Sequence, residues 1–416
     1  MTAPLARRPV RYVLTADRLA TPNELLAPGY VVVDGDRVLD VGQGLPPRAV
    51  ERVDLGDRLI VPGYVDVHVH GGAGAQVNAG GQDEVLASVR RLARFHAAHG
   101  TTSLLATTVS DSREALRAAV QGIAGVTRDA PVEGAQVLGC HLEGPFLASE
   151  YAGAQDPGWL RPPDPSEMED LLAAGEGTIR LVTLAPELPG ANELIDLCRR
   201  AGVTVSLGHS AADYETARGA FDAGVRHVTH LFNAMTPVHH RRPGAAIAAI
   251  ADERVTLELI ADGLHVHFAV LASVACLAPE RIVLVSDATA AAGLGPGRHR
   301  LGGADVEVLD GRVTLAGDRS TLAGSVLTLE LAVANLVSQG GVPLLTALRA
   351  ATLTPARAIG ASRKGRLVQG TDADVAVLDP DLSVAATVAN GRVVHDPLKL
   401  LASVATATGR AERTDQ

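Results

Sequence analysis

Residues 59–70 read LIVPGYVDVHVH, an apolar run that ends on His68 and His70. In an extended chain residues i and i+2 point to the same side, so the two imidazoles form a pincer at the end of a strand. Seven further β-like runs follow: TTSLLATT (101–108), VLGCHLEGP (137–145), IRLVTLAP (179–186), TVSLGHS (204–210), HVTHLFNAM (227–235), VTLELIADGLH (255–265) and RIVLVSDAT (281–289). Five of these also end on a metal-type residue: Glu143, His209, His230, His265 and Asp287. Amphipathic helical segments such as 83–99, 111–125 and 213–224 separate most of the runs, which is the alternation of a parallel α/β fold. Eight strands over roughly 290 residues match a (β/α)8 TIM-like barrel, in which the C-terminal strand ends converge on one face and hold the active site. Helices near 325–340 and 343–359 are expected to close it.

Outside this alternation the chain changes character. PVRYVLTADRL (9–19) and GYVVVDGDRVLDVG (29–42) are short strands around the turn signals Asp34–Gly35 and Gly35–Asp36. DADVAVLD (372–379) and SVAATVANGRVVHD (383–396), with Asn390–Gly391 at the turn, look alike. Neither end makes a stable sheet alone, so the two are expected to pair into one small β-sandwich, residues 1–58 with 360–416, beside a catalytic barrel at 59–359. A hairpin-like stretch at 303–317 reads as an insertion after the last barrel strand.

Composition narrows the function. The chain has 416 residues, 47% apolar and 3% aromatic, with net charge −10 and a pI near 5.8. An acidic surface argues against a nucleic-acid partner. No segment of 18 uncharged apolar residues exists, and the first residues lack a signal-peptide core, so no membrane partner and a cytoplasmic location are expected. Cys140, Cys198 and Cys276 stand apart without a CxxC pair, as expected of reduced structural thiols. Lysine occurs only at positions 364 and 399, which argues against a Schiff-base or carboxylated lysine in the barrel.

The motifs carry the chemistry. Glu143, in His141-Leu142-Glu143, faces the barrel mouth if Leu142 faces away; a buried carboxylate is costly unless paired or metal-bound. His141 reads as a hydrogen-bond partner behind it. His209 and His230 sit on adjacent strands, and with Glu143 they make a His₂Glu set suited to a catalytic metal with an open position. Either histidine alone would more often be an ordinary core residue. Asp287 is placed to act as general base and acid beside a metal, or else as a helix N-cap. Arg241 and Arg242 form a small basic cluster with His239 and His240, which suits a phosphate or simply a solvated loop.

PGYVDVHVHG, HLEGPF, SLGHS, THLFNAM, ADGLH, SDA and LAGS occur in that order over nearly the whole chain. In these motifs the sequence resembles the amidohydrolase superfamily and, within it, the N-acetylglucosamine-6-phosphate deacetylases. The resemblance implies hydrolysis of the acetamide of an amino-sugar phosphate, with Glu143, His209 and His230 on the main metal and Asp287 as general base and acid. The ion would be zinc first, with iron, cobalt or manganese as alternatives. Since His68 and His70 are both present, a second ion bridged by Glu143 is implied. Ala154, Gln155, Asn233, Ala234, Leu322, Ala323 and Gly324 would line the sugar. His265 and Arg241 would hold its phosphate, with Arg241 reaching in from a neighbouring subunit of a homodimer. At one position the chain departs from the family pattern: Gln155 stands where a histidine is usual, and its amide can donate a hydrogen bond but carry no charge. That keeps open the galactosamine epimer as substrate. A non-catalytic scaffold would have lost ligands, and a deaminase would lack HLEGPF and THLFNAM. Relatives with a carboxylated lysine bridge, such as dihydroorotases, cannot be matched.

Overall fold

The computed structural model describes residues 11–46, 51–129 and 133–404. The outermost parts of the expected terminal sandwich, 1–10 and 405–416, lie outside the described residues. At the centre is an eight-stranded sheet whose strands are ordered as in the chain and all run parallel. We label them β1 (Tyr64–Val69), β2 (Thr101–Thr108), β3 (Gln136–Glu143), β4 (Ile179–Leu184), β5 (Thr204–Leu207), β6 (His227–Val228), β7 (Thr256–Leu259) and β8 (Ile282–Leu284). The barrel closes just past β8. The Asp287 N–H donates to His68 O at 2.9 Å, the His70 N–H donates to Ala288 O at 2.9 Å, and Val69 bridges Ala288 in parallel.

These strands are rich in Val, Leu, Ile and Thr because helices cover their outer faces while side chains fill the barrel. The helix Gln82–Ala97 shows the matching periodicity, burying Val85, Val89, Leu92, Ala93 and His96. Its successor, Arg113–Arg128, starts on Ser112, whose hydroxyl accepts the Ala115 N–H.

Two strand expectations need correction. LIVPGYVDVHVH is two strands. Leu59–Pro62 leaves the barrel and pairs with Arg18–Ala20 and Val375–Leu378, and β1 begins after Gly63. The apolar run is unbroken because both halves are buried, which hides the change of sheet. HVTHLFNAM is strand only at His227–Val228. His230, Phe232 and Ala234 have φ of +30°, +78° and +47°, which no strand ladder accommodates.

The chain ends form two sheets. One holds Arg11–Ala16, Gly29–Asp34, Arg37–Gln43 and Arg52–Asp54; the other holds Arg18–Ala20, Leu25–Leu26, Leu59–Pro62, Val375–Leu378, Val384–Ala389 and Arg392–His395. They share an apolar core that includes Tyr12, Leu14, Val33, Ile60, Val375 and Val377. The Asn390–Gly391 turn has φ +48° and +75°, the pair of positive values that a tight hairpin turn needs. A Cβ on Gly391 would lie 1.8 Å from Gly35 O, where the two ends meet. Gly391→Ala is therefore expected to destabilise the protein by about 1–3 kcal/mol, read as a lower denaturant midpoint; an unchanged midpoint would show that the ends are not locked there.

The insertion after β8 is larger than the expected hairpin. It is a four-stranded antiparallel sheet from Gly297 to Leu322. Leu301, Val306, Val308 and Val313 pack with Ala291 and Ala323 beneath it, so it is anchored over the barrel mouth.

Candidate metal centre and substrate cavity

The C-terminal strand ends bring the expected residues together. His209 Nε2 lies 3.1 Å from Glu143 Oε1, His230 Nε2 lies 3.1 Å from the same oxygen, and the two nitrogens are 3.0 Å apart. Beside this trio, His68 Nε2 and His70 Nε2 are 3.1 Å apart. Asp287 Oδ1 is 3.2 Å from His70 Nε2 and 3.5 Å from His68 Nε2. Glu143 joins the groups, with Oε2 3.3 Å from His70 Nε2. All six side chains are buried. His209, His230 and Asp287 have φ of +48°, +30° and +49°. This strained backbone turns each side chain across the mouth instead of along its strand.

Proton positions test whether a cation fits. The His209 Nδ1–H donates to Tyr151 O at 2.8 Å, and the His70 Nδ1–H donates to Thr107 O at 3.2 Å. A carbonyl only accepts, so Nδ1 holds a proton in both rings, and in the neutral form each Nε2 carries a lone pair. The Nδ1–H of His68 donates to the Glu258 carboxylate at 3.0 Å, which leaves its Nε2 in the same state. Lone pairs of at least three imidazoles and two carboxylates thus face one another across about 3 Å. Only a shared cation, metal or proton, makes that arrangement stable, and the donor set fits one or two divalent ions. A third cluster, His68, His141 and Glu258, does not fit. His141 uses Nδ1 on Val67 O at 3.1 Å and Nε2 on Thr183 Oγ1 at 2.7 Å, and burial depresses its pKa to about 3.

Electrostatics tells the same story. Burial opposes ionisation of Glu143, yet His68 and His209 outweigh it and hold the carboxyl well below its usual range. Burial likewise opposes charge on His70, but Asp287 and Glu143 raise its pKa to about 9. Without a metal, then, protons bridge the acceptors. A proton bound with a raised pKa must leave before its nitrogen ligates, so metal affinity should climb with pH until about 9 and fall steadily below it. Competition against a chelator from pH 6 to 9 tests this; a flat profile would contradict it.

The cavity above these ligands is open, about 270 Å³, and is lined by Ala154, Gln155, Asn233, Ala234, His265, Leu322 and Gly324 as expected. Ser320 and Thr321 of the inserted sheet complete the wall. His265 Nδ1 is tied to Asp262 Oδ2 at 2.7 Å. Gln155 is locked: its Oε1 accepts the Ser110 N–H at 2.7 Å, and its Nε2 donates to Glu143 Oε2 at 2.7 Å. One expected lining residue lies elsewhere. Ala323 is fully buried in the apolar cluster under the inserted sheet. Arg241 sits on an exposed turn, its guanidinium on His240 Nε2 at 2.7 Å, outside the cavity of its own chain. Neither lysine lines the cavity; Lys364 pairs with Asp374 at 2.8 Å and Asp372 at 3.0 Å.

Sequence reasoning missed Glu258 and Asp66. Glu258 is wholly buried on β7 behind His68. Its signal was a lone carboxylate inside the apolar run VTLELIA. Asp66 shares the face of His68 and His70, two and four residues before them. Burial pushes its carboxyl up to about 7 against hydrogen bonds from Ser286 and His68.

A parallel barrel closed at Asp287, with histidines and carboxylates meeting at its C-terminal face, defines a metal-dependent hydrolase of the amidohydrolase type. The chain belongs to the amidohydrolase family, whose profile matches residues 59–394. It is 40% identical over 375 residues to the N-acetylgalactosamine-6-phosphate deacetylase of Escherichia coli O157:H7, covering 90% of this chain and 96% of that one. It is also 40% identical over 354 residues to the human N-acetylglucosamine-6-phosphate deacetylase, covering 83% and 86%. Among solved structures, a mutant N-acetyl-D-glucosamine-6-phosphate deacetylase of Mycobacterium smegmatis, in complex with N-acetyl-D-glucosamine-6-phosphate, superposes with a TM-score of 0.87 at 42% identity, over 92% of this chain and 99% of that one. No helix among the described residues is long and apolar enough to cross a membrane.

Proposed function

We propose that the chain hydrolyses the acetamide of N-acetyl-D-glucosamine 6-phosphate to D-glucosamine 6-phosphate and acetate. The observation that carries this is the meeting of Glu143, His209 and His230 at 3.0–3.1 Å, with the Asp287 carboxylate beside them on the cavity wall. Glu143, His209 and His230 would hold one divalent ion, and His68, His70 and Asp287 a second. Zinc is the first candidate because a His₂Glu set leaves it an open position. When bound, such an ion acidifies water and polarises the amide carbonyl. Asp287 accepts the proton of the attacking water and returns it to the leaving nitrogen. Asp262 orients His265 so that its Nε2 meets the phosphate, which anchors the sugar away from the reacting carbon.

A second reading, the galactosamine epimer, is favoured by the Escherichia coli relative and by Gln155, which is committed to Glu143 and carries no charge of its own. Acetate release from the two epimers at equal concentration separates them. The glucosamine compound should give the higher kcat/KM; the reverse order would favour the second reading, and no release from either would refute both.

The terminal sandwich would serve as a separate support domain for a cytoplasmic homodimer in which Arg241 completes the partner's phosphate site. Arg241→Ala should then raise KM by about 10-fold or more, the loss expected for a charge-assisted bond, with kcat little changed. A monomer by light scattering at assay concentration, or an unchanged KM, would remove that role.

A further inference from the structure

We infer that Glu258 is a positioning residue that builds the second metal subsite, acting through the ring of His68. The inference rests on the metal-site reading above and extends it to a residue that never touches the cavity.

Glu258 lies wholly buried on β7. Its carboxylate accepts three hydrogen bonds: from His68 Nδ1 at 3.0 Å and the His230 N–H at 3.1 Å on Oε2, and from His227 Nε2 at 2.8 Å on Oε1. His227 is held from behind by Thr256 Oγ1. One carboxylate therefore ties an imidazole of the His68, His70, Asp287 group to the strained backbone of His230 in the other group.

The four candidate ligand histidines are not backed alike. His70 and His209 rest on the neutral carbonyls of Thr107 and Tyr151. His230 Nδ1 has no hydrogen-bond partner among the described residues. His68 alone of the four is backed by a carboxylate. A carboxylate on the far nitrogen fixes the tautomer, stops the ring from turning and makes the facing nitrogen a stronger donor. It also balances charge where two dications would share Glu143. Glu258 thus favours filling the subsite that contains His68, while the Glu143, His209, His230 subsite depends on it only through one backbone bond.

Glu258→Gln separates charge from shape. The amide oxygen can keep the bonds from His68 and His230, and the amide nitrogen can face His227 once that ring changes tautomer. Wild type, Glu258→Gln, His68→Asn and the double variant would be stripped, reloaded with zinc, and titrated with a graded chelator, with bound zinc measured by elemental analysis. Wild type should hold two zinc ions per chain. Glu258→Gln should keep the tighter ion unchanged and hold the second about 10–100-fold more weakly. The double variant should match His68→Asn alone. Equal retention of both ions in Glu258→Gln, or further loss of the remaining ion in the double variant, would overturn the inference. If Glu258→Gln does not fold, His227→Gln removes the support of Glu258 from outside and should loosen the same ion; no loosening would count against the inference. Wild type holding one zinc would refute the inference and leave the Glu143, His209, His230 centre standing, whereas wild type holding none would refute the centre itself.

Discussion

Asp287→Asn should lower kcat by about 10³-fold, within the 10²–10⁴ range of a positioned acid–base group, while the ion at Glu143, His209 and His230 stays bound. The substitution is nearly isosteric, and the backbone is held independently of the side chain. The Asp287 N–H donates to His68 O at 2.9 Å, and Asp287 O accepts the Ser325 N–H at 2.8 Å. What changes is the carboxylate. Burial opposes its charge, but His68 and His70 outweigh that and hold its pKa below the ordinary value, so near neutrality it is an ionised acceptor. An amide in its place cannot take a proton from water or return one to nitrogen. Substrate affinity, measured by calorimetry on the inactive variant, should change little because the proposed phosphate anchor is His265 and not Asp287. A kcat within tenfold of wild type, or loss of the first ion along with activity, would remove Asp287 from the proton-transfer role.

Glu143→Gln should produce a different failure, with metal and activity lost together. Glu143 Oε1 faces both His209 and His230, and Oε2 faces His70, so one charge serves both subsites. The amide halves the acceptor set and removes the negative charge that offsets the ions. The expected result is less than about one-tenth of the wild-type metal content and a loss in kcat/KM of about 10³-fold or more, the equivalent of several kcal/mol of charge stabilisation. Chelated wild type should fall to the same level and recover when zinc is returned; the variant should not recover. Wild-type metal content in Glu143→Gln would show that the histidines bind the ion without it.

These two outcomes differ because of where each carboxylate stands, and both positions were legible in the sequence. Glu143 and Asp287 both announce themselves as polar residues closing apolar runs, a local pattern that any parallel barrel turns into a shared face. Glu258 is a polar residue in the middle of such a run, and nothing local says that it lies under His68. Ala323 follows an apolar-to-small loop pattern that fits a cavity wall as well as a buried packing position. Only the inserted sheet over the barrel mouth settles it, by supplying Leu301, Val306 and Val313 as neighbours. The break at Gly63 is equally silent, because Leu59–Pro62 and Tyr64–Val69 are both fully buried in different sheets.

Residue order alone set the strand–helix alternation, the paired chain ends and the kinds of ligand available, since periodicity, turn residues and side-chain chemistry act over a few positions. It named the ligands that meet but not the geometry that brings them together. Glu143 and His209 are 66 residues apart and Glu143 and His230 are 87 apart, yet both pairs close to 3.1 Å. That convergence depends on barrel closure between Val69 and Ala288 and on left-handed backbone at His209, His230 and Asp287. Closure and strain are properties of the packed whole: strand register and the covering helices must hold against the cost of those turns before the ligands can face one another.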